Sequence, residues 1–188
     1  DLQSVIDWLF QSNAEFSKFY DTSNITLIGH SRGGGISIIK ASEESRITKL
    51  VTFSSVSDYA SRFPSADVLD AWENKGVSYI VNTRTKQQLP HHFQFYTNFK
   101  DNEDRLTISR AAKALKIPHL IVHGSKDTSV PLSESGKLFE WSPNPELLLV
   151  EGADHVYDVS HPWNKSDIPS NFQYVLDGTV KFIQKENE

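Results

Sequence analysis

Four short apolar runs recur along the chain, and each is followed or preceded by a segment with a different periodicity. The runs occupy residues 25–28, 50–53, 119–122 and 147–150. Continuous apolar runs of this length are typical of parallel strands that helices cover on both faces. The pattern therefore predicts four buried strands.

Between these runs, apolar residues fall three or four positions apart, which predicts helices with one buried face. Helices are predicted over residues 1–20, 36–44, 132–141 and 172–185. Strands that alternate with helices imply right-handed crossovers. The predicted fold class is therefore α/β, with an open, mostly parallel sheet and flanking helices in a single domain over residues 1–188.

Residues 56–116 interrupt this alternation, because aromatic side chains are mixed with charged ones there. We interpret this segment as an insertion, a cap or lid over one edge of the sheet, with a helix at 105–115. The aromatic residues at 79–99 form either the core of the insertion or the wall of a substrate pocket. The aromatic residues concerned are Tyr59, Phe63, Trp72, Tyr79, Phe93, Phe95, Tyr96 and Phe99.

Composition excludes several classes of function. The chain has 188 residues with 19 Lys+Arg and 24 Asp+Glu, a net charge of −5 and no basic block, which argues against a nucleic-acid partner. No apolar run is long enough for a membrane helix. The absence of cysteine excludes disulfides, cysteine-ligated zinc and a cysteine nucleophile, but it leaves the cellular compartment open. The absence of methionine leads us to expect a fragment of a longer protein or a processed product, and the oligomeric state stays open.

The sharpest local signal is the G-x-S-x-G pattern formed by Gly29, Ser31 and Gly33 between a predicted strand and a predicted helix. A serine on such a turn has a strained backbone, and we expect the two glycines to remove side chains that would collide. The turn exposes the Ser31 hydroxyl, and the helix N-terminus directs amides toward developing negative charge. Ser31 is therefore a candidate nucleophile, with a purely structural glycine turn as the alternative.

A base and a carboxylate follow the third and fourth predicted strands. Asp127 comes after the third strand, and Asp154-His155 comes after the fourth. Because loops at the carboxyl ends of parallel strands converge, we expect Ser31, Asp127 and His155 to meet. Asp127 is preferred to Asp154 as the partner of His155, since neighbouring loop residues usually point apart. The alternatives are a helix N-cap for Asp127 and a surface position for His155.

The remaining histidines are assigned structural roles. His30 is expected to pack against the turn or bond to a backbone carbonyl, and His123 to be structural. The adjacent pair His91-His92 lacks the i, i+4 spacing of metal ligands, so no metal site and no cofactor are predicted. Residues 161–163, His-Pro-Trp, form either a wall of the site or a surface loop.

Taken together, the G-x-S-x-G turn, the H-G-x-x-D segment at 123–127 and the G-A-D-H segment at 152–155 resemble the α/β-hydrolase family. The resemblance runs from about Ile25 to the C-terminus. Residues 29–34 look like the dienelactone-hydrolase-like and prolyl-oligopeptidase-like branches, although dienelactone hydrolases have cysteine at the nucleophile position. The resemblance implies that Ser31 is the nucleophile, His155 the general base and acid, and Asp127 the residue that orients His155. It also implies that the Arg32 backbone amide belongs to the oxyanion hole.

The family's second oxyanion donor follows an early strand, whereas only 24 residues precede Ile25 in this chain. We therefore expect the chain to be the C-terminal portion of the fold. The predicted function is a serine hydrolase that cleaves small-molecule carboxylic esters through an acyl-enzyme. A catalytically silent binding scaffold and a prolyl-oligopeptidase-like peptidase are the alternatives. The Arg32 side chain is expected either to support the site through a carboxylate or to contact an anionic substrate group.

Overall fold

The computed structural model describes residues 1–11, 17–82 and 85–185. Its strands are β1 (Ile25–His30), β2 (Ile47–Phe53), β3 (Val77–Val81), β4 (Gln88–His92), β5 (His119–Gly124) and β6 (Pro145–Val150). Its α-helices are α1 (Leu2–Leu9), α2 (Arg32–Glu43), α3 (Ala66–Lys75), α4 (Gln94–Asp101), α5 (Ile108–Lys113), α6 (Leu132–Trp141) and α7 (Ser170–Gln184).

A four-stranded parallel sheet in the order β1-β2-β5-β6 forms the centre of the described structure. One register row crosses it near the carboxyl ends of the strands, through His30, Phe53, Val122 and Leu148. The segments that follow β1, β2, β5 and β6 therefore emerge side by side at one edge of the sheet. The predicted α/β fold class, with its mostly parallel sheet, is confirmed.

The core has two layers, one on each face of the sheet, because neighbouring strand residues point to opposite faces. Leu50 and Ile121 face the layer that α2, α5 and α6 cover, which includes Leu138. Val51 and Val122 face the other layer, which α7 covers. Burying both faces explains why these strands appear in the sequence as continuous apolar runs.

The strand β6 departs from the expected burial. Leu147 and Leu149 are 45% and 41% exposed, whereas Leu148 packs against α7 at Gly178. The prediction that helices cover both faces of the run at 147–150 is therefore wrong, because β6 is an edge strand of the described sheet. At the other edge, β1 leaves Ile28 47% exposed.

The helix predicted over residues 1–20 ends at Leu9. The backbone N–H of Phe10 caps it by donating to carbonyls of its last turn, and residues 17–19 form a separate short 3₁₀ turn. Residues 12–16, which include Phe16 of the predicted apolar face, lie outside the described residues. Phe19, which was expected to be buried, is 72% exposed.

Between β2 and β5, the chain forms α3, an antiparallel β3-β4 hairpin, α4 and α5. Aromatic side chains of this segment contact one another, with Phe63 packed on Phe95, Tyr96 and Phe99. In contrast, α5 contributes Ile108 to the core beneath the central sheet. The division of the chain into a domain and an inserted cap at 56–116 stays a prediction. Within the described residues, none of the helices combines the length and apolarity needed to cross a bilayer.

Candidate active site

Ser31 occupies a strained turn between β1 and α2, with φ 56° and ψ −122°. A positive φ at a residue other than glycine is uncommon and costs on the order of 1–3 kcal/mol. Three backbone hydrogen bonds hold this conformation. The Ser31 N–H donates to the Phe53 carbonyl (2.9 Å), and the Ser31 carbonyl accepts from Gly34 (3.0 Å) and Val56 (3.3 Å). Tertiary contacts to β2 and the segment after it thus enforce the turn.

Of the two glycines that flank Ser31, one is required as expected and the other is not. A Cβ at Gly29 would lie 2.4 Å from the Ser37 hydroxyl and 2.5 Å from the Gly33 carbonyl oxygen, so Gly29 is required as predicted. The same expectation for Gly33 is wrong, because a Cβ there would meet nothing within 4 Å. Close approach is needed instead at Gly34, where a Cβ would lie 2.3 Å from the Ser55 hydroxyl.

The first residue of α2 is Arg32. As the first helical residue it has no intrahelical acceptor for its backbone N–H, and no hydrogen bond from that N–H occurs within residues 1–11, 17–82 and 85–185. Its carbonyl accepts a hydrogen bond from the Tyr59 hydroxyl at 2.8 Å. The amide beside Ser31 is therefore available to an acceptor, at the positive end of the α2 dipole.

His155 and Asp127 are joined directly. The His155 Nδ1–H donates to Asp127 Oδ2 at 2.8 Å, since a carboxylate can only accept. The Asp127 side chain is fully buried, and its other oxygen accepts from the amides of Ser129 (2.8 Å) and Val130 (2.9 Å). This pairing fixes the orientation of the His155 ring and leaves Nε2 without a proton in the neutral form, so that Nε2 can accept one.

Burial by itself would raise the pKa of the Asp127 carboxyl. Hydrogen bonds from the Val130 amide, the His155 ring, the Ser54 hydroxyl and the Ser129 amide outweigh burial, so the pKa lies below its ordinary value. Asp127 is therefore ionised at neutral pH and faces the imidazole as an anion.

Asp154, the competing carboxylate, faces away from the ring of its neighbour His155. Its Oδ1 accepts hydrogen bonds from the backbone N–H groups of Val156 (2.9 Å) and Asp158 (3.0 Å). No hydrogen bond between Asp154 and the His155 ring occurs in the described part of the chain. Asp154 stabilises the turn that carries His155.

His30 connects the Ser31 turn to His155. Its Nε2–H donates to the His155 carbonyl at 2.9 Å, and the two ring centroids lie 4.7 Å apart. This is the backbone-carbonyl contact expected for His30. The Ser31 hydroxyl makes no hydrogen bond to the His155 ring among the described residues. The structure therefore shows a direct bond between His155 and Asp127, whereas Ser31 is linked to His155 only through the contacts of His30. His123 has a structural contact, donating from Nε2 to the Val130 carbonyl at 2.9 Å.

Sequence reasoning missed a buried pair of hydroxyl groups behind Asp127. The Ser54 hydroxyl lies 3.1 Å from the Tyr157 hydroxyl, which donates to the Val122 carbonyl at 3.2 Å. Ser54 also helps to hold the pKa of the Asp127 carboxyl below its ordinary value, and burial raises the pKa of Tyr157. Ser54 directly follows β2, so the same rule that identified Asp127 could have found it, whereas Tyr157 carries no such signal.

A cavity of about 430 Å³ opens beside the Ser31 turn, between α2 and the segment that follows β2. Arg32, the residue after Ser31, and Tyr59, whose hydroxyl bonds to the Arg32 carbonyl, line the cavity, whereas Ser31 does not. Trp72, Phe95 and Phe99 are among its aromatic walls. Of the aromatic residues at 79–99, predicted as either core or pocket, Phe95 and Phe99 line the cavity and Phe99 is also buried, whereas Tyr79 is exposed. The segment 161–163 does not line this cavity, and its Trp163 ring is covered by the Lys165 ammonium at 5.4 Å.

The two adjacent histidines, His91 and His92, have different surroundings. His91 lies against the Trp72 ring (4.9 Å between centroids) and the Phe95 ring (4.5 Å) in the cavity wall, whereas His92 is exposed. In the part of the chain that the structure describes, no group of three or more His, Asp or Glu side chains could hold a metal ion.

Comparison with known proteins identifies the family to which the chain belongs. The family model described as BD-FAE matches residues 1–142, about three quarters of the chain. No curated protein matches the chain. Three similar solved structures are the esterase domain of a Rhodothermus marinus protein, a monoacylglycerol lipase from Paleococcus ferrophilus and Est1E from Butyrivibrio proteoclasticus.

Their sequence identities to this chain are 17%, 17% and 19%, with TM-scores of 0.58, 0.64 and 0.65. They cover 96%, 97% and 97% of this chain, which spans 65%, 72% and 66% of theirs, or about two thirds of their length. At such identities the likeness concerns the fold, while the family model rests on the sequence itself. The solved structures show that the chain shares the α/β-hydrolase fold, and the family model shows that it belongs to the BD-FAE family.

Proposed function

We propose that this protein is a serine hydrolase that cleaves carboxylic esters of small molecules, with Ser31, His155 and Asp127 as its catalytic triad. The observation that carries the proposal is the 2.8 Å bond between His155 Nδ1 and the buried Asp127 carboxylate, next to a serine in a strained turn. A serine hydroxyl is a weak nucleophile, so it needs such an oriented base. The structural neighbours include an esterase domain and a monoacylglycerol lipase, which supports the same reaction class.

In the proposed mechanism, His155 Nε2 takes the Ser31 proton as the Ser31 oxygen attacks the ester carbonyl carbon. This step requires the two side chains to rotate until the hydroxyl reaches the ring. The buried Asp127 anion stabilises the imidazolium that forms and keeps the proton on Nδ1. Asp127 itself stays ionised throughout.

The negative charge on the carbonyl oxygen is stabilised by the Arg32 N–H, which has no acceptor within the described residues and lies at the N-terminus of α2. His155 then gives its proton to the alcohol oxygen as the ester C–O bond breaks. Water attacks the resulting acyl-enzyme with His155 as base, which releases the acid and restores Ser31.

The segment 56–116 acts as a cap that forms the binding site in this proposal. Its aromatic side chains line the cavity beside Ser31, and a cavity of about 430 Å³ with such walls suits the apolar part of an ester. Aryl or acyl esters are therefore expected to react better than small polar amides.

The direct test measures hydrolysis of 4-nitrophenyl butyrate and labelling by a fluorophosphonate probe. Ser31→Ala should abolish both, because it removes the nucleophile. The matched control is Ser133→Ala, an exposed serine on α6, which should keep both activities.

Hydrolysis and labelling that persist in Ser31→Ala would contradict the mechanism. A folded wild-type protein that neither reacts with the probe nor cleaves the ester would instead be the silent scaffold. Faster cleavage of a 4-nitroanilide peptide than of the ester would assign the protein to the peptidases.

A further inference from the structure

The cavity beside Ser31 has an unusual charge balance for an acidic protein. The chain carries a net charge of −5, yet no Asp or Glu lines the cavity. The basic side chains of its lining are Arg32, Arg62 and His91. No acidic side chain of the lining opposes these basic groups.

Two of these three groups are already engaged. Arg62 donates to the Glu134 carboxylate at 2.9 Å, so its charge is paired. His91 is packed between Trp72 and Phe95, and burial together with the nearby Arg32 charge lowers its pKa. His91 is therefore largely neutral at neutral pH.

Arg32 is different. Its side chain is exposed and makes neither an ion pair nor a side-chain hydrogen bond within the described residues. Its guanidinium lies 5.5 Å from the centre of the Phe95 ring, a cation–π contact that leaves the N–H groups free. This contact holds the guanidinium at the cavity wall without neutralising its charge.

The position of Arg32 along the chain places this charge next to the proposed nucleophile. Arg32 directly follows Ser31 and lines the cavity, so it connects the turn that carries the proposed nucleophile with the cavity wall. Of the two functions expected for this side chain, a partnership with a carboxylate of the protein is not observed in the described chain. An anionic group on the substrate would supply the missing partner, through the planar two-point contact that guanidinium groups make with carboxylates.

We propose that Arg32 is a specificity-determining residue that binds a carboxylate carried by the substrate, so that the preferred substrates are acidic esters with an apolar body. This inference rests on the proposed hydrolase function. The apolar body occupies the aromatic cavity, and the carboxylate pairs with the Arg32 guanidinium beside the scissile ester.

The test compares esters that differ only in carrying a carboxylate or a carboxamide. One pair places the group on the acyl side, with the mono-4-nitrophenyl ester of adipic acid and the 4-nitrophenyl ester of adipamic acid. The other pair places it on the alcohol side, with 4-carboxyphenyl acetate and 4-carbamoylphenyl acetate. The measured quantity is the carboxylate-to-carboxamide ratio of kcat/KM, which cancels effects common to both esters.

In the wild-type protein, we expect a ratio of about ten in one of the two pairs, as for a charge-assisted hydrogen bond at a partly exposed site. Arg32→Gln should bring that ratio to within about twofold of one, and Arg32→Lys should give an intermediate ratio because it keeps the charge but not the planar geometry. Arg105→Gln is the control. It removes an arginine that pairs with Glu43 outside the cavity lining, and it should leave the ratio unchanged.

Ratios near one in both pairs for the wild type, or a ratio that Arg32→Gln does not change, would overturn the inference while leaving the hydrolase function intact. A ratio that collapses in Arg62→Gln but not in Arg32→Gln would also overturn it. Loss of the proposed function has a separate signature. All four esters would then stay intact and Ser31 would not react with a fluorophosphonate, in which case both proposals fall.

Discussion

A single buried carboxylate illustrates how individual residues are matched to their surroundings. Asp127 accepts two backbone amides on one oxygen and the His155 ring on the other, so its negative charge is fully solvated by the protein. Asp154 also accepts two backbone amides, yet both belong to its own turn. Asp154 directly precedes His155 and only stabilises its own turn, whereas Asp127, which is distant along the chain, supplies the charge that faces the imidazole.

This difference predicts opposite results for two matched substitutions. Asp127→Asn should lower kcat for 4-nitrophenyl butyrate by about 10³–10⁴-fold, because an amide at this position favours the wrong tautomer of His155. Asp154→Asn should change kcat less than about threefold, since no contact links Asp154 to the ring in the described chain. Steady-state kinetics of the two purified variants provide the measurement, and equal losses in both would contradict the assignment.

The glycines of the turn give a second residue-scale prediction. Gly29→Ala should lower the free energy of unfolding by about 1–3 kcal/mol, because the new methyl group would press on the backbone of Gly33. Gly33→Ala should raise it by about 0.4–1 kcal/mol, since the methyl group meets open space and alanine is the better helix former. Urea denaturation of both variants measures the difference. Equal destabilisation of the two would refute this reading of the turn.

Among the elements, the helices show what a local pattern can and cannot predict. The bounds of α6 agree with the predicted 132–141, because Pro131 precedes the helix and Ser142-Pro143 follows it. In contrast, α2 begins at Arg32 and not at Ile36. Three consecutive glycines have low helix propensity, but the close approach of Ser55 and Tyr59 requires glycine at the second and third of them, Gly34 and Gly35. Tertiary packing overrides propensity at the position where the site is built.

Part of the candidate site could also be predicted from the sequence, and part could not. The pairing of Asp127 with His155 could be predicted, because loops at the carboxyl ends of parallel strands converge. The Ser54–Tyr157 pair could not, since it depends on the backbone of both residues at positive φ, 44° for Ser54 and 57° for Tyr157. No pattern of apolar positions reports such conformations. The free charge of Arg32 likewise emerges only when its surroundings are known.

A buried lysine links β2 to α7. Lys49 is 2% exposed, and its ammonium donates to the carbonyls of Ile183 (2.7 Å) and Lys185 at the C-terminal end of that helix. These carbonyls lack intrahelical partners and lie at the negative end of the helix dipole. The Lys49 side chain of β2 therefore caps the C-terminal end of α7.

Replacing this lysine should weaken the attachment of α7. Lys49→Met keeps the length of the side chain but leaves the carbonyls without a donor, so we expect a loss of about 1–3 kcal/mol in the free energy of unfolding. The control is Lys137→Met, which changes an exposed lysine on α6 and should have an effect within about 0.5 kcal/mol. Chemical denaturation of both variants tests this, and similar losses in the two would remove the capping role.

For the whole molecule, burial of titratable groups connects the core to pH. His119 at the start of β5 is completely buried, and its ring nitrogens lie 2.9 Å from the hydroxyls of Thr52 and Ser142. Burial lowers the pKa of His119 to about 3, whereas a histidine in the unfolded chain has a pKa near 6.5. Between these two values the unfolded chain binds a proton that the folded protein does not.

The free energy of unfolding should therefore fall as pH is lowered from about 6.5 toward 4.5, with a contribution from His119 of about 1.4 kcal/mol per pH unit. His119→Gln should be less stable than the wild type at pH 8, because it loses buried hydrogen bonds, yet its stability should decline less steeply in this window. Asp127 acts only at lower pH. Its depressed pKa gives stability that is present above the unfolded carboxyl pKa, about 4, and is lost below it. Urea denaturation at several pH values measures both slopes, with His92→Gln as the control for an exposed histidine. If the wild type and His119→Gln show parallel pH profiles between 4.5 and 6.5, then His119 is not held neutral by the core.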